Sequence, residues 1–281
     1  MSFKNILSVL LFVAIVFTGC EKVDEPFIEG NPFTGVYDSD LPIRKILLED
    51  FTGFKCVNCP RAAEKIHFLQ NNYGGHVVPV SIHYGFFAEP NAPEDPDFIT
   101  ETGTEIGAAF GISEILPIGM INRININETY EVGYENWATE VTKILSVNKF
   151  ADIGMEITSE YNDADSTAHI SIEATVINSL QSNLYLSVMI AESHIIGKQK
   201  DGSEQILNYE HNHVLRGSVN GTWGEEISSN GVTAGDIINK SFNNFYINPE
   251  WVPANLSIIA ILYDGLTDEV IQVEEHELIT E

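Results

Sequence analysis

Between residues 38 and 148, short apolar runs alternate with segments whose apolar residues recur at helical spacing. Ile46-Leu47-Leu48 and Val77-Val78-Pro79-Val80-Ser81-Ile82 predict two buried strands. The segment 60–73 carries an apolar stripe that Gly74-Gly75 ends, which predicts a helix. The same patterns predict helices over 97–110 and 134–147 and a strand over 120–126. This alternation of strands and helices indicates an α/β domain.

From about residue 150 the apolar residues recur at every second position instead. Ile153, Met155 and Ile157 alternate with polar residues, as the segment 169–174 also does. Further strands are predicted over 184–191, 237–247 and 256–263, and turn signals such as Asp201-Gly202 separate some of them. The pattern predicts an all-β sandwich (Ig-like) domain of about seven strands over 149–281.

The N-terminal residues 1–19 have the pattern of a signal peptide. Lys4 precedes a nearly uninterrupted apolar run that is too short to span a bilayer. The ending Phe17-Thr18-Gly19-Cys20 resembles the bacterial lipoprotein box, in which the cysteine is acylated after cleavage. This resemblance implies a membrane anchor through lipid on Cys20. The alternative is an ordinary cleaved signal with an incidental cysteine.

Residues 20–37 are rich in Pro, Gly and Asn and are predicted to be a linker. The acidic stretch 21–26 resembles the signal that sends some Bacteroidetes lipoproteins to the cell surface, but it also suits a solvated tether. The chain carries a formal net charge of −27 at pH 7. Such a charge repels nucleic acids and anionic lipid headgroups and suits divalent or cationic partners. The expected macromolecular partners are envelope or surface proteins.

The candidate chemistry lies in the run from Asp50 to Pro60, Asp-Phe-Thr-Gly-Phe-Lys-Cys-Val-Asn-Cys-Pro. At the start of a helix, the first sulfur lies near free N–H groups and the positive end of the helix dipole. Both lower the pKa of a thiol below its usual value of about 8.5. The second sulfur, one turn later, can form a disulfide or resolve a mixed one. We expect Cys56 to be the exposed nucleophile and Cys59 the resolving cysteine.

Two other interpretations of the cysteine pair remain open. A zinc site needs four ligands, and the chain has no second cysteine pair, so distant histidines would have to complete it. A permanent structural disulfide fits an oxidising envelope. Nothing in the sequence requires a metal or an organic cofactor. His211 and His213, with Glu210 or His194, offer a weaker metal site, and a hydrogen-bonded loop is the simpler interpretation.

Residues 44–145 resemble a thioredoxin-fold domain in three features. Asp50 lies six residues before Cys56, the cysteine pair opens a helix, and Phe110-Gly111-Ile112-Ser113-Glu114-Ile115-Leu116-Pro117 is similar to the approach to the family's cis-proline. The resemblance implies that Asp50 lies beneath the dithiol and handles the proton of Cys59. It also implies a cis Leu116–Pro117 bond, with Pro117 against the cysteines and the Leu116 backbone pairing with an extended substrate.

The chain departs from the thioredoxin pattern at several positions. Val57-Asn58 replaces Gly-Pro between the cysteines, and Lys55 replaces the tryptophan before them. The approach to the proline is one residue longer, and Ile118 follows it instead of Thr. These differences leave the redox potential, the partner and turnover open.

Nearly the whole chain also resembles a narrower family. The lipoprotein box, the cysteine run, Gly119-Met120-Ile121-Asn122-Arg123 and the segment 208–216 together are similar to Bacteroidetes lipoproteins related to a 28-kDa outer membrane protein. This implies an outer-membrane lipoprotein facing the periplasm or the cell exterior. Two hypotheses follow: thiol–disulfide exchange on envelope proteins, or a binding scaffold with a structural disulfide.

Overall fold

The structure is a computed structural model that describes residues 40–278 of the 281-residue chain. The predicted signal peptide 1–19, the predicted lipidation site Cys20 and the predicted linker 20–37 lie outside the described residues. Within residues 40–278, no helix is both long enough and apolar enough to cross a bilayer.

Residues 40–278 form a mostly β structure with a few helices. The α-helices are α1 (Cys59–Asn72), α2 (Glu101–Ala109) and α3 (Trp137–Val147). The strands before residue 150 are β1 (Ile46–Thr52), β2 (Val77–His83) and β3 (Ile118–Ile121). The later strands are β4 (Ile153–Asn162), β5 (Thr167–Val176), β6 (Leu184–Glu192), β7 (Ile195–Asp201), β8 (Glu204–His211), β9 (Val214–Ser218), β10 (Glu225–Ser228), β11 (Ile237–Tyr246), β12 (Leu256–Asp264) and β13 (Val270–Glu277).

The first part of the chain forms the predicted strand and helix layers. Strand β1 pairs in parallel with β2 and antiparallel with β3. Ile46 and Leu48 point to the layer that holds α1 and α3, whereas Leu47 and Phe51 point to the opposite face with α2. Helix α2 begins after Thr100, whose hydroxyl accepts a hydrogen bond from the Gly103 amide at 3.0 Å. β1 is therefore buried on both faces, which explains its continuous apolar run.

The large sheet differs from the expected arrangement of one α/β domain followed by a separate sandwich. Its strand order is β13-β12-β6-β9-β2-β1-β3, and β10 pairs with β6. Strands from both sides of residue 148 therefore share one sheet. The joint is the pairing of β2 with β9, where the Ser81 amide donates to the His213 carbonyl at 2.7 Å.

A second sheet, in the order β11-β5-β4, packs against one face of the large sheet. Ile157, Ile170 and Ile172 from this small sheet contact Val188 and Ile258 from the large one. Two β-layers thus share an apolar cluster. One of those layers is the continuation of the N-terminal sheet, because β6, β9 and β12 extend it.

Strand β3 ends at Ile121, five residues before the predicted end at residue 126. Asn122 and Arg123 adopt left-handed backbone conformations, with φ of 49° and 54°, which ends the strand. The Asn122 amide and side-chain oxygen bond to the backbone of Leu47 at 2.9 and 2.8 Å. The turn directs Arg123 into the core, where its guanidinium forms a fully buried ion pair with Glu49 at 2.8 Å.

Candidate functional site

The two cysteines lie between β1 and α1 and form a disulfide. The Cys56 amide donates to the Gly53 carbonyl at 3.0 Å, which closes a turn directly after β1. Helix α1 starts at Cys59, with Asn58 as its N-cap residue, so Cys56 precedes the helix by three positions. The Cα atoms of the two cysteines are 5.5 Å apart, within the normal range for a disulfide. The local sequence thus produces a short, oxidised loop at the start of a helix.

Gly53 allows a neighbouring loop to approach the disulfide turn. The Phe87 carbonyl accepts a hydrogen bond from the Lys55 amide at 3.0 Å. A Cβ atom at residue 53 would lie 2.5 Å from that carbonyl oxygen, too close for any other side chain. The Lys55 side chain is buried, with its Nζ 4.3 Å from the centre of the Phe86 ring. Lys55 is therefore a buried lysine whose ammonium lies over an aromatic ring instead of in solvent.

Asp50 lies beneath the disulfide turn, in a cavity of about 40 Å³ that Cys59 also lines. Ser81 from β2 and Tyr209 from β8 supply further polar groups to this cavity. Asp50 Oδ1 is buried and has no hydrogen-bond partner among residues 40–278. Burial raises the pKa of the Asp50 carboxyl to about 8, so it carries a proton at neutral pH. The cavity is large and polar enough to hold a water molecule beside Asp50.

Two buried histidines form part of the wall of the same cavity. His83 on β2 and His211 at the end of β8 have ring centres 5.7 Å apart, and Phe98 contacts both rings. Burial lowers the pKa of His211 to about 4 and holds that of His83 well below its usual range. Both imidazoles are therefore neutral at pH 7, so these two histidines present polar but uncharged groups to the cavity.

The predicted proline loop leads into β3 at the end of the sheet where β1 leads into the disulfide turn. The Leu116–Pro117 peptide bond is cis, which confirms the sequence prediction. Ile118, directly after Pro117, is opposite Phe51 near the end of β1. Leu116 belongs to the apolar cluster that contains both cysteines. The structure thus places Asp50, the two cysteines and the Leu116–Pro117 bond near the end of β1 and the start of β3, whereas Cys20 lies outside the described residues.

A hairpin formed by β7 and β8 covers the disulfide turn, and the sequence analysis did not predict this contact. The Lys200 amide donates to the Phe54 carbonyl at 2.8 Å, and the Gly202 amide donates to the Val57 carbonyl at 3.0 Å. Gln199 is buried and donates from Nε2 to the Cys56 carbonyl at 2.9 Å.

The expectation that Cys56 is exposed is wrong, because Cys56 packs in the apolar cluster with Leu116 and its turn also bonds to the hairpin. Only 2% of the Cys56 surface is accessible, and Cys59 is similarly buried at 3%. The Asp201-Gly202 turn between two short segments was the sequence signal that could have identified the hairpin. No local pattern identifies where such a hairpin docks.

The weaker metal site considered around His211 is not formed by the described residues. His211 ends β8 and His213 lies in the turn before β9 with φ of 56°, and both line the cavity that holds Asp50. His194 pairs with Glu210 at 2.7 Å on the protein surface. Across residues 40–278, no group of three His, Cys, Asp or Glu side chains is arranged to hold a metal ion.

Comparisons with solved structures found the following matches. HBP35 of Porphyromonas gingivalis is similar with a TM-score of 0.65 and 13% identity, over 84% of this chain and 76% of that one. A domain of the outer membrane lipoprotein Omp28 from Porphyromonas gingivalis is 25% identical over 47% of this chain and 91% of that one, with a TM-score of 0.33. No match was found among curated proteins.

A family model, described as outer membrane protein Omp28, matches residues 106–281. This range includes the cis-proline loop, Arg123 and the β7–β8 hairpin, but it begins after the two cysteines. The match extends over more than half of the chain. The chain therefore belongs to the Omp28 family of outer membrane proteins.

Proposed function

We propose that the protein exchanges its Cys56–Cys59 disulfide with thiols of envelope proteins. Asp50 carries this proposal: it is a buried carboxyl with one unpartnered oxygen, in the cavity that Cys59 also lines. Burying a carboxyl without a full set of hydrogen bonds costs stability. A static disulfide gains nothing from this cost, whereas a cysteine that releases and binds a proton needs such a group nearby.

The order of elements supports a thioredoxin-like assignment for residues 38–148. A buried strand leads into the cysteine turn and a helix, and a later cis-proline loop leads into an antiparallel strand beside the first. The fold similarity to HBP35, at a TM-score of 0.65, covers most of the chain and is compatible with this assignment. In this proposal Pro117 shapes the groove beside the disulfide, and the Leu116 backbone pairs with an extended partner segment.

The proposed reaction starts from the oxidised form that the structure contains. A thiolate of a partner dithiol attacks Cys56 Sγ, and the Cys56–Cys59 bond breaks with its electron pair moving to Cys59 Sγ. The protonated Asp50 carboxyl supplies the proton that Cys59 takes up, by way of the cavity. The partner's second thiolate then attacks the mixed disulfide and releases Cys56 as a thiolate. The partner leaves as a disulfide, and this protein holds two reduced cysteines.

The proposal also includes a lipid anchor that holds the protein at the outer membrane. Residues 1–19 act as a signal peptide, and lipid on Cys20 anchors the chain to the outer membrane through the linker 20–37. Family membership supports the outer membrane as the location. The net charge of −27 disfavours contact with nucleic acids and anionic headgroups, so envelope or surface proteins remain the partners.

The second candidate function is a binding scaffold with a structural disulfide. The burial of Cys56 favours it, because a disulfide with 2% exposure at Cys56 is shielded from attack. In that case the β-rich part of the chain would contact envelope partners, and the cysteines would only stabilise the turn before α1.

Trapping in the envelope separates the two candidates. The exchange is reversible, and in the reverse direction the Cys56 thiolate attacks a partner disulfide and Cys59 resolves the mixed disulfide. A Cys59→Ser variant cannot complete that second step, so the proposal predicts covalent complexes between Cys56 and envelope proteins that a reductant releases. The matched control is the double variant Cys56→Ser and Cys59→Ser, which should form none. If the single variant also forms none under both oxidising and reducing growth, the exchange proposal is wrong and the scaffold is favoured.

A further inference from the structure

The β7–β8 hairpin is attached to the disulfide turn by its own polar contacts. It forms a two-stranded sheet that pairs with no other named strand among the described residues. The amides of Lys200 and Gly202 donate to the carbonyls of Phe54 and Val57, so the hairpin lies along the disulfide turn. These two carbonyls flank Cys56 in the sequence. They are the main-chain acceptors that an extended partner segment needs when it approaches that cysteine.

Gln199 fixes the hairpin to the turn. Its side chain is 3% exposed, and Nε2 donates to the carbonyl oxygens of Cys56 at 2.9 Å and Lys200 at 3.0 Å. The pairing between β7 and β8 shifts register between Gly197 and Gln199. An irregularity of this kind redirects a side chain out of the normal alternation, and here it accompanies the burial of Gln199 in the site.

Apart from the buried His211 at the end of β8, the rest of the hairpin is held less strongly. Ile196 and Leu207 are 59% and 63% exposed, so much of the hairpin's apolar surface is not packed in the core. Lys198 binds Asp95 at 2.9 Å near the surface. A two-stranded sheet alone is only marginally stable in water. The hairpin can therefore separate locally while the large sheet stays intact.

We infer that the β7–β8 hairpin is a removable cover of the Cys56–Cys59 disulfide and that Gln199 is the residue that holds it closed. This inference rests on the proposed exchange reaction, because a cover over a permanent structural bond has nothing to control. When the hairpin separates, Cys56 Sγ becomes accessible and the carbonyls of Phe54 and Val57 are released. The partner that replaces the hairpin is an extended polypeptide carrying a thiol, because those acceptors match main-chain N–H groups.

The rate at which dithiothreitol reduces the disulfide tests the cover directly. For the wild-type protein, we expect a rate constant far below that of the same chain unfolded in urea. Gln199→Leu removes the hydrogen bonds to the disulfide turn, so it should raise the rate about tenfold. Gln205→Leu is the matched control, because Gln205 lies exposed on the same hairpin, and its rate should equal that of the wild type.

Amide hydrogen exchange shows whether the hairpin itself responds. In Gln199→Leu the amides of Lys200 and Gly202 should exchange faster, while those in β1 stay protected. Faster exchange at these two amides without faster reduction would overturn the inference. A folded wild-type protein that is reduced as fast as the urea-unfolded chain would also overturn it, and this measurement needs no variant to fold.

Reduction by dithiothreitol tests the cover independently of the proposed exchange with envelope proteins. Dithiothreitol reaches the disulfide without any physiological partner. Slow wild-type reduction that Gln199→Leu accelerates supports the cover even if the Cys59→Ser trap captures no envelope protein. With that combined result, the proposed exchange with envelope proteins would be rejected. The inference that the hairpin controls access to Cys56 would stand.

Discussion

The side-chain amide of Gln199 donates a hydrogen bond to the carbonyl oxygen of Cys56 at 2.9 Å, across 143 positions of the chain. The cysteine turn is therefore completed by a hairpin from the second part of the chain. Tyr209 and His211 from the same hairpin also line the cavity that holds Asp50. The candidate site and the β-rich part of the protein form one structural unit.

This sharing predicts that residues 38–148 do not fold alone. The apolar cluster around Leu47 and Phe51 includes Met189, Leu215 and Ile259, which a chain ending at residue 148 lacks. The edge of β2 that pairs with β9 would also be exposed. Circular dichroism during urea unfolding should show no cooperative transition for this fragment and a clear one for residues 38–281. A sharp transition in the fragment would show that the first domain is independent.

The carboxyl of Asp50 should make the protein less stable as the pH rises. Its pKa is about 8 in the folded protein and 3.8 as the ordinary value, so between these limits the unfolded chain binds fewer protons. Stability from this group is complete below pH 3.8 and is lost as the pH rises to about 8. Between pH 4 and 8, the free energy of unfolding should fall by roughly 3–5 kcal/mol more in the wild type than in Asp50→Asn.

Urea unfolding of the oxidised proteins at several pH values measures this difference. Glu204→Gln is the control, because Glu204 is exposed at the hairpin turn and its removal should leave the wild-type pH dependence unchanged. Identical pH profiles for the wild type and Asp50→Asn would show that Asp50 is ionised in the folded protein, and its role as a proton donor would then be lost.

His211 should have the opposite effect on the acid side. Its pKa is lowered from 6.5 to about 4 in the folded protein, so the unfolded chain binds more protons between these values. Stability from this group is complete above pH 6.5 and is lost as the pH falls to about 4. His211→Gln should remove roughly 2–3 kcal/mol of the acid destabilisation measured between pH 7 and 4. The control is His67→Gln, at an exposed histidine. This variant should lose as much stability between pH 7 and 4 as the wild type.

Breaking the buried ion pair between Glu49 and Arg123 should cost far more stability than breaking a surface pair. Both side chains are fully buried, and the Arg123 guanidinium lies near the rings of Phe110 and Tyr263. Removing one partner leaves an uncompensated buried charge, so Arg123→Met should cost about 3–5 kcal/mol. The double variant Glu49→Gln and Arg123→Met should cost clearly less than the sum of the two single changes.

Chemical denaturation of the four proteins in this mutant cycle measures the coupling energy. Lys143→Ala is the control, because Lys143 pairs with Glu140 on the surface of α3 and its loss should cost no more than about 0.5 kcal/mol. Additive losses at residues 49 and 123 would mean that the pair does not stabilise the core as a unit.

The local elements and their order were predictable where the apolar pattern was strong. β1 and β2 are buried on both faces, so they appear as continuous apolar runs, and the helical stripes of α1 and α3 are equally clear. The cis-proline loop was predictable because its residues are contiguous in the sequence. The strand predicted over 120–126 extends beyond the observed end of β3. The left-handed turn at Asn122 and Arg123 that ends β3 depends on tertiary contacts, which the sequence pattern does not show.

The pairing of distant strands and the cover over the disulfide could not be predicted. β8 contains mainly polar residues, and several of them are exposed, so its alternation is weak. The position of the β7–β8 hairpin depends on hydrogen bonds that β7 and the turn donate to the carbonyls of Phe54, Cys56 and Val57. Main-chain carbonyls are present in every sequence and so give no local signal. A buried glutamine such as Gln199 has no distinguishing local pattern. The exposure of Cys56 was mispredicted for this reason.

The most direct test of the exchange proposal is the redox equilibrium of the Cys56–Cys59 pair, measured in glutathione and dithiothreitol buffers at pH 7. A disulfide that reacts with partner dithiols must be reducible, so we predict a midpoint more positive than about −300 mV. A midpoint below about −300 mV would mean a permanent structural bond and would contradict the proposed exchange.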